Sequence, residues 1–274
     1  ATVVRNAEQL VSEGFKEIIV TGVNSGDFGY GTDENFYQLL QALDGVDGLE
    51  RLRVSSIEPN LLTEEIIRFA ATSKKLQPHF HIPLQSGSDE MLKIMKRRYK
   101  SDLYRSRVEL IRELIPDACI GVDVITGHPG ETEELFQESF DFIDSLDVSY
   151  LHVFTDSERP NTHALSLKPV IPKQERKKRT HKLRRLSKKK RFEFDSRFEN
   201  EVRPTLFEES NKEGFMFGWT NNYVRVVIPF NERFINTIQD IELTKISKDG
   251  HYFGKLPESV LQEEQTISEL IADE

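Results

Sequence analysis

The stretch HFHIPLQSGSDEMLKIMKRRY, residues 79–99, runs an alternating strand into a polar loop and then into a basic helix. His79 and His81 alternate with Phe80 and Ile82, the period-two pattern of a strand whose two faces differ. Ser88 followed by Asp89 and Glu90 is a helix start, with carboxylates where a helix N-terminus is positive. A strand that feeds a helix through a short polar loop is half of a βα unit. The fold depends on how often the chain repeats it.

Working outward, four more β-rich runs stand out: EIIVTG (17–22), RLRVSSI (51–57), CIGVDVITG (119–127) and YLHVFTDS (150–157). Helical patterns lie between them, in NFYQLLQALDGV, TEEIIRFAATS, DLYRSRVELIRELI and ETEELFQESFDFIDSL. Strand and helix alternate with a period of about thirty residues, the signature of βα units on a parallel sheet. The opening segment ATVVRNAEQLVSEGF is a helix with no strand before it and no initial Met. A right-handed βα layout calls for one further strand upstream, so we expect five strands of a barrel of at least six, and a fragment or processed chain.

After residue 160 the pattern changes. RPNTHALSLKPVIPKQ is a proline-containing crossover, and KQERKKRTHKLRRLSKKKR (173–191) is dominated by Lys and Arg with a single Glu. The Leu183, Leu186 and Phe194 spacing carries this helix to about Arg197. EVRPTLFEES, GFMFGWT, NYVRVVIPF, DIELTKIS and GHYFGKL then follow as short strands separated by NKEG, TNN and KDG, which suggests a small OB-like barrel. The expected organisation is a partial barrel over 1–165, a basic linker helix over 166–198, a small β domain over 199–257 and an acidic tail over 258–274.

The net charge is −9, so the basic run sits on an otherwise acidic protein. That asymmetry points to an anionic partner for this one segment; the alternative is a solvated helix face. The single cysteine, Cys119, excludes a disulfide framework and any cluster site that needs three or four thiolates from this chain. No apolar run is long enough to cross a bilayer and no secretory signal is present, so we expect no membrane partner and a reducing, cytoplasmic setting.

In a parallel βα barrel the ligand site lies at the C-terminal strand ends. Those ends carry Thr21, Gly22, Asn24 and Ser25; Ser55, Ser56 and Glu58; Gln85, Ser86 and Ser88; Asp123, Thr126, Gly127 and His128; and Asp156, Ser157 and Arg159. Such a ring can hydrogen-bond a ribose and an amino-acid group, although Ser, Gly and Asp also end strands everywhere. GHPGE lacks the Lys-Ser/Thr of a phosphate loop, and no nucleophile or acid–base pair is visible. His79 and His81 share a strand face, but with no third ligand nearby a structural role is expected, and no metal site is assigned. A polar rim without a protein-based catalyst suggests that a cofactor does the chemistry.

HIPLQSGSDEMLKIMKRRY, SSIEP, GVDVITGHPGETEE and HVFTDSERPNTHA resemble the radical SAM methylthiotransferase family, in the family's order. The region from NEVRPTLFEES onward looks like the family's TRAM domain, and the resemblance covers about residues 1–256. MKRRY after QSGSDEMLK is most similar to the branch acting on threonylcarbamoyladenosine in tRNA. The resemblance implies an α/β fold, a partial radical SAM barrel followed by the TRAM barrel. It implies S-adenosyl-L-methionine as cofactor, cleaved by one electron from a [4Fe-4S] cluster. The radical so formed activates C2 of the modified adenosine at position 37 in a tRNA anticodon stem-loop. A second cluster helps supply sulfur and a second S-adenosyl-L-methionine the methyl group. The electron donor and sulfur source are not implied. Both clusters need cysteines absent from this sequence, so the chain alone is expected to be inactive.

By position, the resemblance implies cofactor contacts from Thr21, Gly22, Ser56, Glu58, Gln85, Ser86, Asp123 and Gly127. The chain departs from the family at His128 and Asp156, where an aromatic and a tyrosine are usual. RNA contacts are expected from Lys177, Lys178, Arg179, Arg184, Arg185, Lys189 and Arg191 through phosphates. Trp219 and Tyr223 beside Arg225, with Phe215 and Phe217 on the preceding strand, would offer a stacking platform unless two of these aromatics are core. Lys93, Lys96, Arg97 and Arg98 form a second cationic face. The alternatives are an isopentenyladenosine or ribosomal protein S12 methylthiotransferase, a cluster-less RNA-binding protein, and a βα-barrel lyase, which would need a Schiff-base lysine that no strand end supplies.

Overall fold

A computed structural model describes residues 2–157 and 163–257. The chain divides into two compact units, Ala1–Glu193 and Phe194–Glu274. Arg159 and the expected acidic tail lie outside the described residues.

The first unit alternates helix and strand as α1 (Thr2–Ser12), β1 (Glu17–Val20), α2 (Phe36–Asp44), β2 (Arg51–Val54), α3 (Glu64–Thr72) and β3 (His79–His81). It continues through α4 (Asp89–Ile94), α5 (Ser101–Leu114), β4 (Cys119–Thr126), α6 (Glu133–Ser145), β5 (Tyr150–Thr155) and α7 (Lys173–Asp195). β1 pairs with β2, β3 with β4 and β4 with β5, all parallel. Isolated bridges from Leu52 to Leu76 and from Ser56 to His81 link the edges of β2 and β3. This is the expected partial α/β barrel.

Local chemistry starts the helices. Asn35 opens α2 with a capping box closed by Gln38, and the Thr63 and Thr132 side chains accept from the backbone amides of Ile66 and Leu135 to open α3 and α6. Ser88 stands at the N-cap of α4 but makes no cap bond. Its hydroxyl donates instead to Glu138 Oε2 at 2.7 Å, tying the loop to α6.

Period-two alternation sorts the sheet into two faces. Leu52, Phe80, Ile120, Val122, Val124, Leu151 and Val153 join the helices in one hydrophobic core. The opposite face carries Arg51, Arg53, His79, His81, Cys119, Gly121, Asp123, Tyr150 and His152 by the same alternation. Its buried charges are paired, as burial demands. Arg53 donates to both carboxylate oxygens of Glu17, at 3.0 and 3.1 Å. Burial lowers the Arg51 pKa to about 10.

α7 is not a linker. Arg176, Arg179, Thr180, Leu183, Leu186 and Lys190 are buried on one side of it, the spacing of a helix packed along its length. Thr180 Oγ1 lies 2.8 Å from the hydroxyls of both Thr126 and Thr155, and Lys190 Nζ donates to the carbonyls of Asp144 and Leu146. The helix belongs to the barrel unit up to Glu193 and ends at Asp195, just short of the expected Arg197.

The second unit is a closed barrel of β6 (Val202–Phe207), β7 (Phe215–Thr220), β8 (Arg225–Pro229), β9 (Ile238–Ile246) and β10 (Tyr252–Lys255). Around the barrel the order is β10-β8-β7-β6-β9; only the β10–β8 pair is parallel. Met216, Gly218, Thr220, Val224 and Val226 are buried, while Phe215, Phe217, Trp219, Tyr223 and Arg225 are not. The reading that two of these aromatics are core is therefore corrected.

Gly87 sits where the 79–99 loop crosses α6. A Cβ there would stand 2.7 Å from Ser139 O and 2.9 Å from Phe142 Cβ. Gly87→Ala is expected to destabilise the first unit by about 1–3 kcal/mol, as overpacking does. Gly45→Ala, whose new methyl meets nothing closer than 3.5 Å, should be close to neutral. Urea unfolding followed by helical ellipticity checks both.

Candidate functional site

A cleft of about 520 Å³ opens at the C-terminal ends of β1–β4. It is lined by Asn24, Asp27, Ser56, Glu58, Asn60, Gln85, Lys96, Arg97, Arg98 and Asp123, with Val23, Leu61, Pro83 and Met95. Acidic and basic groups face one another across it. Arg97 donates to Glu58 Oε1 at 3.2 Å, and Asn24 Oδ1 accepts from the Glu58 amide.

The loop after β3 supplies the wall. Gln85 adopts φ +70°, an unusual conformation for a residue other than glycine. It is held there on both sides: its amide donates to Asp123 O at 2.8 Å, and its carbonyl accepts from Ile125 at 2.9 Å. Tyr99 donates to the carbonyls of Pro83 and Leu84, and Tyr104 to that of Ile82. Burial pushes both phenols well above their ordinary range.

Below the rim, the polar face of the sheet carries two histidine layers. His79 Nε2 lies 3.0 Å from the Tyr150 hydroxyl, and burial pushes its imidazole down. His81 Nε2 lies 2.7 Å from Asp123 Oδ1, with the His81 and His152 ring centres 5.3 Å apart. The two histidines of β3 therefore separate, and His81 finds its missing neighbours on β4 and β5.

Of the eight residues expected at the cofactor, the cleft gathers Ser56, Glu58, Gln85 and Asp123. Thr21 and Gly22 are exposed just beyond β1, next to Asn24. Ser86 is buried under the loop, where its hydroxyl accepts from the Ser88 amide. Gly127 faces α7: a Cβ there would lie 2.3 Å from Arg176 Cγ. Sequence reasoning missed Asp27 and Asn60, whose only signal is their place in the loops that follow β1 and β2. His128 bonds back to the Pro129 carbonyl, and Asp156 pairs with Arg176.

The basic helix divides into two faces. Lys177, Lys178, Lys182, Arg184, Arg185, Lys188 and Lys189 are exposed. Arg179 is 5% exposed, so its guanidinium is not offered to a phosphate as expected, and Arg191 is half-buried. Arg179 bonds Glu131 Oε2 at 2.8 Å and Glu133 Oε2 at 3.0 Å. Arg191 lies over the Tyr150 ring and 3.8 Å from Cys119 Sγ. In the second unit, Trp219 and Tyr223 stack at 4.4 Å with a 14° interplanar angle. The Arg225 guanidinium lies 4.7 Å from the Phe217 ring centre and 5.3 Å from that of Trp219.

The profile of the Radical SAM superfamily matches residues 1–143. The chain belongs to the radical SAM superfamily. The threonylcarbamoyladenosine tRNA methylthiotransferase MtaB of Bacillus subtilis is 38% identical over 249 residues, 89% of this chain and 55% of that protein. The tRNA-2-methylthio-N(6)-dimethylallyladenosine synthase of Endomicrobium trichonymphae is 31% identical over 255 residues, 93% of this chain and 60% of that protein. The chain thus spans a little over half the length of the curated relatives it matches. Coproporphyrinogen III oxidase of Escherichia coli, a radical SAM enzyme, superposes with a TM-score of 0.50 at 14% identity, over 69% of this chain and 46% of that one. That likeness concerns the fold alone.

This radical SAM chain fits one of the superfamily's two groups. The cleft offers carboxylates, amides, hydroxyls and a guanidinium in a volume suited to S-adenosyl-L-methionine, a zwitterionic nucleoside. An iron–sulfur cluster does not fit the residues present, because Cys119 is the only thiol and it is fully buried in β4. Among the described residues no helix is long and apolar enough to cross a membrane.

The split of the basic helix is directly testable. Burial pushes the Glu131 carboxyl up, and the bonds from Arg179 and the Gly127 amide only partly oppose that push. Arg179→Ala leaves this carboxyl buried and unpaired and is expected to cost about 3–5 kcal/mol. Arg184→Ala and Arg185→Ala should each stay within about 0.5 kcal/mol. Urea midpoints of the three variants decide it.

Proposed function

We propose that the protein to which this chain belongs is a tRNA methylthiotransferase that places a methylthio group on C2 of N6-threonylcarbamoyladenosine at position 37. One observation carries this reading: the 38% identity to the Bacillus subtilis enzyme extends over 249 residues. The barrel unit ends at Glu193, so an alignment of that length must also enter the small β barrel. Both parts of the chain therefore share one relative.

In this reading Glu58, Ser56 and Gln85 hold the ribose and methionyl ends of S-adenosyl-L-methionine, with Asp123 beneath them and Thr21 and Gly22 at the rim. Gly127 and Ser86 shape the supporting loops. Held by these residues, S-adenosyl-L-methionine would supply the adenosyl radical and the methyl group. The chain's own residues orient the nucleoside and keep the cleft polar. With one cysteine this chain holds no cluster, and by itself it is inactive. The small barrel serves as a TRAM domain, and the setting is cytoplasmic.

Two surfaces support tRNA as the partner. The exposed cations of α7 suit phosphates, and stacked aromatics beside an arginine suit unpaired bases of an anticodon loop. Each belongs to a separate unit and makes its own prediction. Arg184→Ala with Arg185→Ala should lower the slope of log K against log salt by about 1–2, with little dependence on RNA sequence. Trp219→Ala should weaken binding by about 1–3 kcal/mol and leave the slope unchanged. Anisotropy of a labelled anticodon stem-loop across a salt series reads both.

The reaction is tested with the complete, cluster-loaded protein and tRNA carrying threonylcarbamoyladenosine, by mass spectrometry of the nucleosides. Appearance of the 2-methylthio product is the expected result. Modification of isopentenyladenosine instead would overturn the substrate assignment, and no modified nucleoside in either tRNA would overturn the reaction.

A further inference from the structure

His81, Asp123 and His152 come from three neighbouring parallel strands, β3, β4 and β5, and project from the same face of the sheet. Asp123 stands directly opposite His152 in register, while His81 pairs with Gly121, two residues before Asp123. One ligand atom from each of the three lies within 4.8 Å of the other two. Ligands bound to one ion at about 2.0–2.2 Å stand about 3–4 Å apart, so the three converge on a volume that a single ion can fill with small side-chain rotations.

We infer that His81, Asp123 and His152 form a binding site for one divalent transition-metal ion of the Zn²⁺, Co²⁺ or Fe²⁺ class. The donor set selects that class. Two imidazoles and one carboxylate are borderline ligands, which favour such ions over Mg²⁺ or Ca²⁺ with their all-oxygen shells. Because all three side chains leave one sheet face, they can occupy only one side of the ion. Asp123 also lines the cleft, and His152 is exposed, so the remaining positions are open to solvent. They would take water or an oxygen donor of a bound molecule.

The neighbouring residues hold the site in place. Gly121 has no side chain, and the Tyr150 ring fills the space its Cβ would need, at 2.4 Å. That ring packs edge-on against His152, with centres 5.1 Å apart, and limits where the imidazole can turn. Asp123 is fixed by its own backbone, whose carbonyl accepts from both Leu84 and Gln85. His79, one layer away, is engaged by Tyr150. An ion here would tie β3, β4 and β5 together at the floor of the cleft. The inference does not depend on the methylthiotransferase reading.

The test uses the untagged chain, stripped with EDTA and titrated with Co²⁺ alone, then with Zn²⁺ as competitor. Visible d–d absorption and metal content after dialysis are the readouts, and the single buried thiol makes cluster uptake no complication. The expected result is one equivalent bound. His152→Gln and Asp123→Asn should each lose it with unchanged helical ellipticity. His251→Gln, in the second unit, should retain it. A folded wild-type chain that takes up no cobalt and retains no zinc would overturn the assignment. So would uptake that persists at one equivalent in both site variants. tRNA affinity of His152→Gln, whose side chain does not line the cleft, should equal that of the unaltered chain, which separates this site from the RNA-binding reading.

Discussion

The Glu131 carboxylate joins the loop after β4 to the helix that carries the positive charge. It is 2% exposed and accepts from the Gly127 amide at 2.7 Å and from Arg179 at 2.8 Å. The first bond fixes the turn that leaves β4; the second pins α7 across it. Arg179 also donates to the Glu131 carbonyl and to Glu133, so one guanidinium serves the whole start of α6. A charge buried this deeply persists only when it is paired and hydrogen-bonded. Without the pair, the β4 exit, the α6 start and the basic helix would lose their common anchor.

The same constraint governs the face of the sheet opposite the hydrophobic core, which is polar and largely buried. Polar groups there form defined partnerships: Glu17 with Arg53, His79 with Tyr150, His81 with Asp123. Each partnership crosses between strands, so it also fixes the stagger of the sheet. Beyond β3, two backbone bonds hold Gln85 against β4 at positive φ, where it forms the loop wall of the cleft.

Much of this was legible in the sequence, because strand ends, turn residues and helix starts are local signals. The five barrel strands fall within the apolar runs; four of them end at or just before a Thr or Ser, and β3 stops at His81, ahead of Ile82 and Pro83. What was not legible depended on register or on competing signals. His81, Asp123 and His152 are 42 and 29 residues apart along the chain, and only parallel pairing shows that they share a face. In α7 the run of Lys and Arg hid an inner face in which Arg176, Arg179 and Lys190 keep the helical spacing of Leu183 and Leu186. Identity alone suggested that all these cations meet solvent; position on the helix decides which do. The outer aromatics of β7 show the converse. Alternation put Phe215, Phe217 and Trp219 on one face, but only closure of the barrel around Met216, Gly218 and Thr220 shows which face is outside.

The departure at Asp156 illustrates how a foreign charge is absorbed. The family resemblance leads one to expect a tyrosine at the end of β5, and this chain carries a carboxylate there instead. Arg176 takes it up. Its guanidinium donates to the Asp156 carbonyl at 3.2 Å and stands 3.9 Å from the carboxylate, while its Nε bonds the Ile171 carbonyl. The stem of Arg176 reaches there across Gly127, in the space any larger residue would occupy. Gly127, Arg176 and Asp156 therefore depend on one another sterically and electrostatically. The charge is settled against α7, and the charges lining the cleft are those of Asp27, Glu58 and Asp123 with Lys96, Arg97 and Arg98.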